Sequence, residues 1–112
     1  MHRDYRVYLN DILTAISKIE KYVNGLSSQE FTRDEIRIDA VVRNLEVIGE
    51  ATKHVPEEVR RKYPFIEWKK FSGLRDILIH EYFGIDLDIL WDIVKNKIPA
   101  LKIDVNKILE LE

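Results

Sequence analysis

The 112-residue sequence has no cysteine. This rules out disulfides, thiolate metal sites and cysteine nucleophiles together, and is compatible with a reducing compartment. Glycine is scarce, with four in the chain, and the charged share of 34% is above the usual quarter; both favour helices with solvated faces. No apolar run approaches membrane length, and Met1-His2-Arg3-Asp4-Tyr5 leads into a charged amphipathic pattern with no apolar signal core. A soluble, cytoplasmic chain is the expectation. A field of one sign is missing too: the formal net charge is −2, so nothing global draws in a long duplex, and any nucleic-acid contact must be local and brief.

What is present is helical periodicity. Apolar residues make up 46% of the chain, and the length suits one domain spanning residues 1–112. From Asp4 to about Asn24, Tyr5, Tyr8, Leu9, Ile12, Ile16, Ile19 and Val23 recur mostly three or four apart, an amphipathic helix of about six turns. Gly25 ends it, and Ser28 is expected to cap a short turn holding Gln29, Glu30 and Phe31. A second helix is expected from about Thr32 to His54, with Ile36, Val41, Leu45, Ile48, Thr52 and Val55 inward, antiparallel to the first because the linker is short. Pro56 stops it and starts a short extra helix suited by Glu57 and Glu58. Tyr63-Pro64 closes that helix, and Phe65-Ile66-Glu67-Trp68 is expected to be a connection pinned to the bundle. A third principal helix should begin at Ser72 or Gly73 and end near Phe83-Gly84. Asp86 caps a fourth with Leu87, Leu90, Trp91 and Val94 inward, which Pro99 should kink or divide before Leu101, Val105, Ile108 and Leu109 resume the pattern. The fold expected is all-α: an antiparallel bundle of four main helices with a short extra helix and a Pro-kinked C-terminal helix.

Gly73-Leu74-Arg75-Asp76-Ile77-Leu78-Ile79-His80-Glu81-Tyr82-Phe83-Gly84 gathers an Arg, carboxylates, a His and a Tyr into one short segment. On an ideal helix Leu74, Ile77 and Leu78 face inward. Arg75 and Tyr82 lie about 20° apart on one flank, while Asp76 and His80, four residues apart, share the other. About 140° separates Arg75 from His80. Either the helix distorts toward Gly84, or two copies of the chain assemble the site in one cleft; the second is the favoured reading. Cleaving RNA without a metal needs a base for the 2′-hydroxyl proton, an acid for the leaving 5′-oxygen and a cation at the phosphorane-like transition state. His80 can transfer protons near neutral pH with Asp76 to orient it, Arg75 offers a fork of donors to phosphate, and Tyr82 can bond the phosphate or stack on a base. The same spacing also describes a solvated helix face of i,i+4 charge pairs with Tyr82 as a packing aromatic.

Arg75-x4-His80-x-Tyr82, within Trp68-Lys69-Lys70-Phe71-Ser72-Gly73-Leu74-Arg75-Asp76 and before Gly84-Ile85-Asp86, resembles the signature of the HepT-like ribonucleases of the HEPN superfamily. Arg43-Asn44-Leu45-Glu46-Val47-Ile48-Gly49-Glu50-Ala51 resembles that family's second recurrent block. The resemblance implies an HEPN-like helical toxin of a type VII-like toxin–antitoxin system: a metal-independent endoribonuclease, usually a homodimer with its motifs in a cleft. It also implies a small nucleotidyltransferase antitoxin that transfers AMP to the motif tyrosine. Carried over, Arg75 and His80 are catalytic, Asp76 and Tyr82 support them, and Tyr82 is the AMP acceptor. No cofactor is implied. Lys69, Lys70 and Arg75 are the expected RNA-binding groups. The alternative from another class is a non-catalytic helical adaptor that binds a nucleotidyltransferase.

Elsewhere the plainer readings hold. Arg43, Glu46 and Glu50 share a stripe better read as an intrahelical salt-bridge row than as a cleft edge. His2 and His54 lack metal-pair spacing. Trp68 and Trp91 are expected as packing anchors, and Gly49 as a point of close helix approach.

Overall fold

The computed structural model of the protein describes residues 4–74 and 86–112. Among the described residues every regular element is a helix, and no helix is long and apolar enough to cross a membrane. The all-α expectation holds.

Helix α1 (Tyr5–Val23) starts at Asp4, whose side chain accepts the Arg6 backbone N–H. Leu9, Ile12, Ile16 and Ile19 form its fully buried stripe, at the three- and four-residue spacing that keeps side chains on one face. Each such side chain contributes roughly 1.5–3 kcal/mol when removed from water. Gly25 then takes φ +76°, a left-handed conformation that a side chain disfavours.

Helix α2 (Ser28–Thr32) is capped by Ser27, where Ser28 was expected. The reason lies three residues on. Ser27 Oγ accepts the Glu30 backbone N–H at 3.1 Å, and Glu30 returns a carboxylate oxygen to the Ser27 N–H at 3.0 Å. Only the first serine has a glutamate at the position that closes this reciprocal pair.

Helix α3 (Glu35–His54) begins three residues later than expected, because Asp34 caps it through the Arg37 N–H at 3.1 Å. Val41, Leu45, Ile48 and Thr52 are buried as expected, but Ile36 is 83% exposed. Ile36 precedes Val41 by five residues, about 140° around the axis. Ile38, three before Val41, packs on the core in its place. Both buried polar side chains bond back along the helix: Asn44 Nδ2 donates to the Ala40 carbonyl at 2.9 Å and Thr52 Oγ1 to the Ile48 carbonyl at 2.7 Å. They therefore sit in the core without orphaned donors.

Helices α1 and α3 pack along each other. Their sense is antiparallel. Arg37, at the start of α3, donates from Nε to the Tyr22 carbonyl near the end of α1, while Tyr8 near the start of α1 stacks on His54 at the end of α3 with ring centroids 5.0 Å apart.

Pro56 caps α4 (Glu57–Lys62), with Glu57 and Glu58 in its first turn and Arg60, Arg61 and Lys62 in its last, the charge order that suits a helix dipole. The connection after it is pinned, as expected. Ile66 and Trp68 are buried, and the Trp68 indole donates to the Tyr63 carbonyl at 2.8 Å. The connection is shorter than expected, since a turn of helix, α5 (Trp68–Ser72), precedes Gly73 and packs against α3 through Trp68 and Phe71. Gly73 ends this helix with its N–H bonded to the Lys69 carbonyl at 3.1 Å.

Asp86 caps α6 (Leu87–Asp92), accepting from the Asp88 and Ile89 N–H groups. A π-helical turn at Ile93–Lys97 follows, in which the Ile98 N–H reaches the Ile93 carbonyl five residues back. Helix α7 (Ile98–Leu111) continues with Pro99 in its first turn. The sequence anticipates a kink or division here, and the structure sets a widened turn between the two α-helical segments. Proline offers no N–H to the carbonyl four residues earlier and its ring crowds that carbonyl, which a widened turn relieves. Leu90, Val94, Ile98, Leu101, Val105 and Ile108 remain buried through the change. Trp91 packs on Phe31 at 5.1 Å, and Lys102 pairs with Glu20 at 3.1 Å, tying α7 to α1. Glu112 closes the structure by accepting from the Tyr5 and Tyr63 hydroxyls and from Lys62 Nζ at 3.0 Å.

Candidate functional site

Four of the residues singled out in the sequence, Arg75, Asp76, His80 and Tyr82, lie outside the described residues, as does His2. The described chain fixes the approach to that segment from both sides. On the N-terminal side, Phe71 of α5 and Leu74 just after it are buried in the core, and Leu74 was expected on the inward face. On the C-terminal side, the Asp86 cap restarts the helix.

The two lysines expected to touch RNA are on the solvent side of α5. Burial of Trp68 and Phe71, three residues apart, turns Lys69 and Lys70 outward. They differ in their partners. Lys70 Nζ pairs with Glu67 at 2.6 Å, and Lys97 reaches the same carboxylate at 3.8 Å. The hydrogen bond from Lys70, followed by the charges of both lysines, holds the Glu67 carboxyl below its ordinary pKa. Lys69 has no carboxylate partner among the described residues.

Beside these lysines a shallow groove of about 770 Å³ runs between α4 and α5. Ile66 and Trp68, both buried, form its floor, and Arg60 and Arg61 stand along its α4 side. Arg61 pairs with Glu57 at 2.8 Å. Arg60 Nε is buried and has no hydrogen-bond partner. Sequence reasoning missed these arginines. The run Glu57-Glu58-Val59-Arg60-Arg61-Lys62 carried the signal, but it is fully accounted for as acidic and basic ends of one short helix. Only the fold sets its basic end beside Lys69 and Lys70.

The remaining candidates are structural. His54 stacks on Tyr8 and lies 3.4 Å from Glu50, an i,i+4 pair. Of the row expected at Arg43, Glu46 and Glu50, Arg43 is exposed and no ion pair joins it to Glu46 among the described residues; Glu50 lies instead beside His54. Trp68 and Trp91 are packing anchors, the latter with Lys95 Nζ 5.2 Å above its ring. Gly49 is buried in α3.

Comparison with known proteins matches residues 12–108 to the family described as "Ribonuclease HepT-like". The chain is 46% identical over 110 residues to a Methanocaldococcus jannaschii protein named "Gamma-glutamylcyclotransferase and putative RNase", covering 98% of this chain and 50% of that protein. It thus spans about half the length of that relative. It is 42% identical over 107 residues to a "Putative RNase" of Caldanaerobacter subterraneus, covering 96% of each. With "Probable ribonuclease HepT" of Thermococcus cleftensis the identity is 43% over 102 residues, covering 91% of this chain and 93% of that one. No solved structure gives a significant match. An all-α bundle built on the α1–α3 pair, a match over nearly the whole chain and relatives of matching length agree: the chain belongs to the HepT-like ribonuclease family.

Proposed function

We propose that the protein is a metal-independent endoribonuclease acting as the toxin of a toxin–antitoxin pair. The observation that carries this reading is the family match, whose span of residues 12–108 contains the whole Arg75-x4-His80-x-Tyr82 segment. Arg75 binds the scissile phosphate through its guanidinium fork and stabilises the charge that grows on the phosphate oxygens as the 2′-oxygen attacks. His80 carries the proton exchanged between the 2′-hydroxyl and the leaving 5′-oxygen, with Asp76 orienting its imidazole. The new bond is 2′-oxygen to phosphorus and the bond broken is phosphorus to the 5′-oxygen. Two copies of the chain supply the Arg and His groups of one cleft. Lys69 and Lys70, exposed on α5 just ahead of Arg75, support local phosphate binding.

The test is RNA cleavage in the presence of chelator, paired with growth on induction. Wild-type protein should cleave and arrest growth. Arg75→Ala and His80→Ala should each lower the cleavage rate by at least about 100-fold with folding intact. Wild-type protein that neither cleaves nor arrests growth would return the chain to the adaptor reading.

Tyr82 is proposed as the off-switch. A nucleotidyltransferase antitoxin adds AMP to its hydroxyl, displacing pyrophosphate from ATP and placing bulk and negative charge beside the phosphate site. Incubation with that partner and ATP should add AMP-sized mass to the wild type and none to Tyr82→Phe. Persistence of the addition in the variant would move the acceptor elsewhere.

A further inference from the structure

We propose that the groove between α4 and α5 seats the phosphodiester backbone of a single-stranded RNA, with Arg60 and Lys69 as its principal phosphate-binding groups. This rests on the ribonuclease reading and extends it to how substrate is held away from the reacting bond.

Charge is the first support. Four cationic side chains border the groove, Arg60 and Arg61 from α4 and Lys69 and Lys70 from α5, against two carboxylates, Glu57 and Glu67. Both carboxylates are already engaged, Glu57 by Arg61 at 2.8 Å and Glu67 by Lys70 at 2.6 Å. Arg60 and Lys69 are left without a carboxylate among the described residues. In a chain of net charge −2 this is a local excess of positive charge, the kind of feature that polyanion binding requires when the molecule as a whole does not attract one.

The second support is independent of charge counting. Arg60 Nε is removed from water and bonded to nothing, although buried donors are nearly always satisfied. Arg60 lines the groove, and a turn of its side chain toward an anion there would give this donor an acceptor. Arginine suits this better than lysine because its donors form a planar fork matched to phosphate oxygens.

The third support is the floor. Exposed Pro64, backed by the buried Ile66 and Trp68, gives the groove an apolar base below its cationic edges. A single strand can lay sugar and base faces on such a surface while its phosphates meet the rim. A duplex presents mainly its phosphates and hydroxyls, and would leave that floor unused. The groove also lies next to the catalytic segment in the chain: Lys69 precedes Arg75 by six residues, and α5 runs to Ser72.

The experiment uses the full chain carrying His80→Ala, so that binding is read without turnover. The probe is a fluorescently labelled single-stranded RNA of about twelve nucleotides. Anisotropy titrations over about 50–200 mM salt give affinity and its salt slope. Adding Arg60→Gln and Lys69→Gln together should weaken binding about tenfold and reduce the slope of log K against log salt by about 1.4, the value for two lost phosphate contacts on a single strand. Lys69→Gln alone, a change at an exposed position, should remove about half of that slope and keeps the test open should the double variant fold poorly. Lys107→Gln, exposed on α7, is the control and should change neither quantity. In the cleaving enzyme the double variant should raise KM and spare kcat. Wild-type affinity and slope in the groove variants would overturn the groove while leaving the ribonuclease reading standing. Absence of RNA binding by the His80→Ala chain together with absence of cleavage by the wild type would bring down the two together.

Discussion

Glu112 draws donors from positions far from it in sequence: Tyr5 at the start of α1, and Lys62 and Tyr63 at the end of α4. These bonds, led by the one from Tyr5, pull its carboxyl pKa down from 4.5 to about 2. Burial and the same hydrogen bond push the Tyr5 phenol up from 10.0 to about 12. The signs follow from linkage. A carboxyl more acidic in the folded state makes the unfolded chain the better proton binder, so its stabilisation is complete above about 4.5 and is lost as pH falls through about 2. The phenol's share is complete below 10.0 and is lost as pH rises through about 12. Glu112→Gln should therefore melt at a lower temperature than wild type near neutral pH, with the gap closing as pH is lowered toward 2. Melting curves across that range check it; a gap of constant size would show that the carboxylate charge is not what holds these groups. Nothing in the local sequence around Glu112 announces this cluster, because its partners are brought together only by the packing of α1, α4 and α7.

The helices themselves were largely legible. Wherever three- and four-residue spacing ran unbroken, as in α1 and from Val41 to Thr52, the buried face was read correctly. Errors fell where a single side chain decided between neighbours. Ser27 won the cap over Ser28 because Glu30 stands at the reciprocal position. Asp34 set the start of α3 and left Thr32 to α2. Ile36 looked like a core residue by hydrophobicity, yet its angular offset from Val41 put it in water. Helix α5 was read as part of a connection because Glu67 makes no side-chain cap bond to mark its start. The burial of Trp68 and Phe71 gives that turn a face in the core all the same.

For the molecule as a whole, the candidate site was legible as a motif but not as a place. The pattern Arg75-x4-His80-x-Tyr82 can be read directly, whereas the groove proposed to hold RNA is lined jointly by side chains of α4 and α5. That local gathering of positive charge is invisible in a sequence whose overall charge is slightly negative. Helical geometry puts Arg75 and His80 about 140° apart on a straight helix, and this makes assembly of the chain part of the proposed mechanism. Specific cleavage activity should fall when the protein is diluted below its dimer dissociation constant, and sedimentation at the same concentrations should show the shift to monomer. Constant specific activity in a monomeric sample would sink the two-chain cleft.

The wide turn at Ile93–Lys97 bears on which changes of length this region can absorb. It holds one more residue than an ordinary turn would, while Leu90 before it, Val94 within it, and Leu101 and Val105 after it stay on the buried side. Elsewhere in a helix, removing one residue rotates everything downstream by about 100° and turns the apolar seam to solvent. Here a deletion has slack to draw on, since the wide turn can tighten toward an ordinary one, although Pro99 resists full closure. This short stretch is the joint in the C-terminal rod where the loss of one residue does least to turn the apolar seam to solvent.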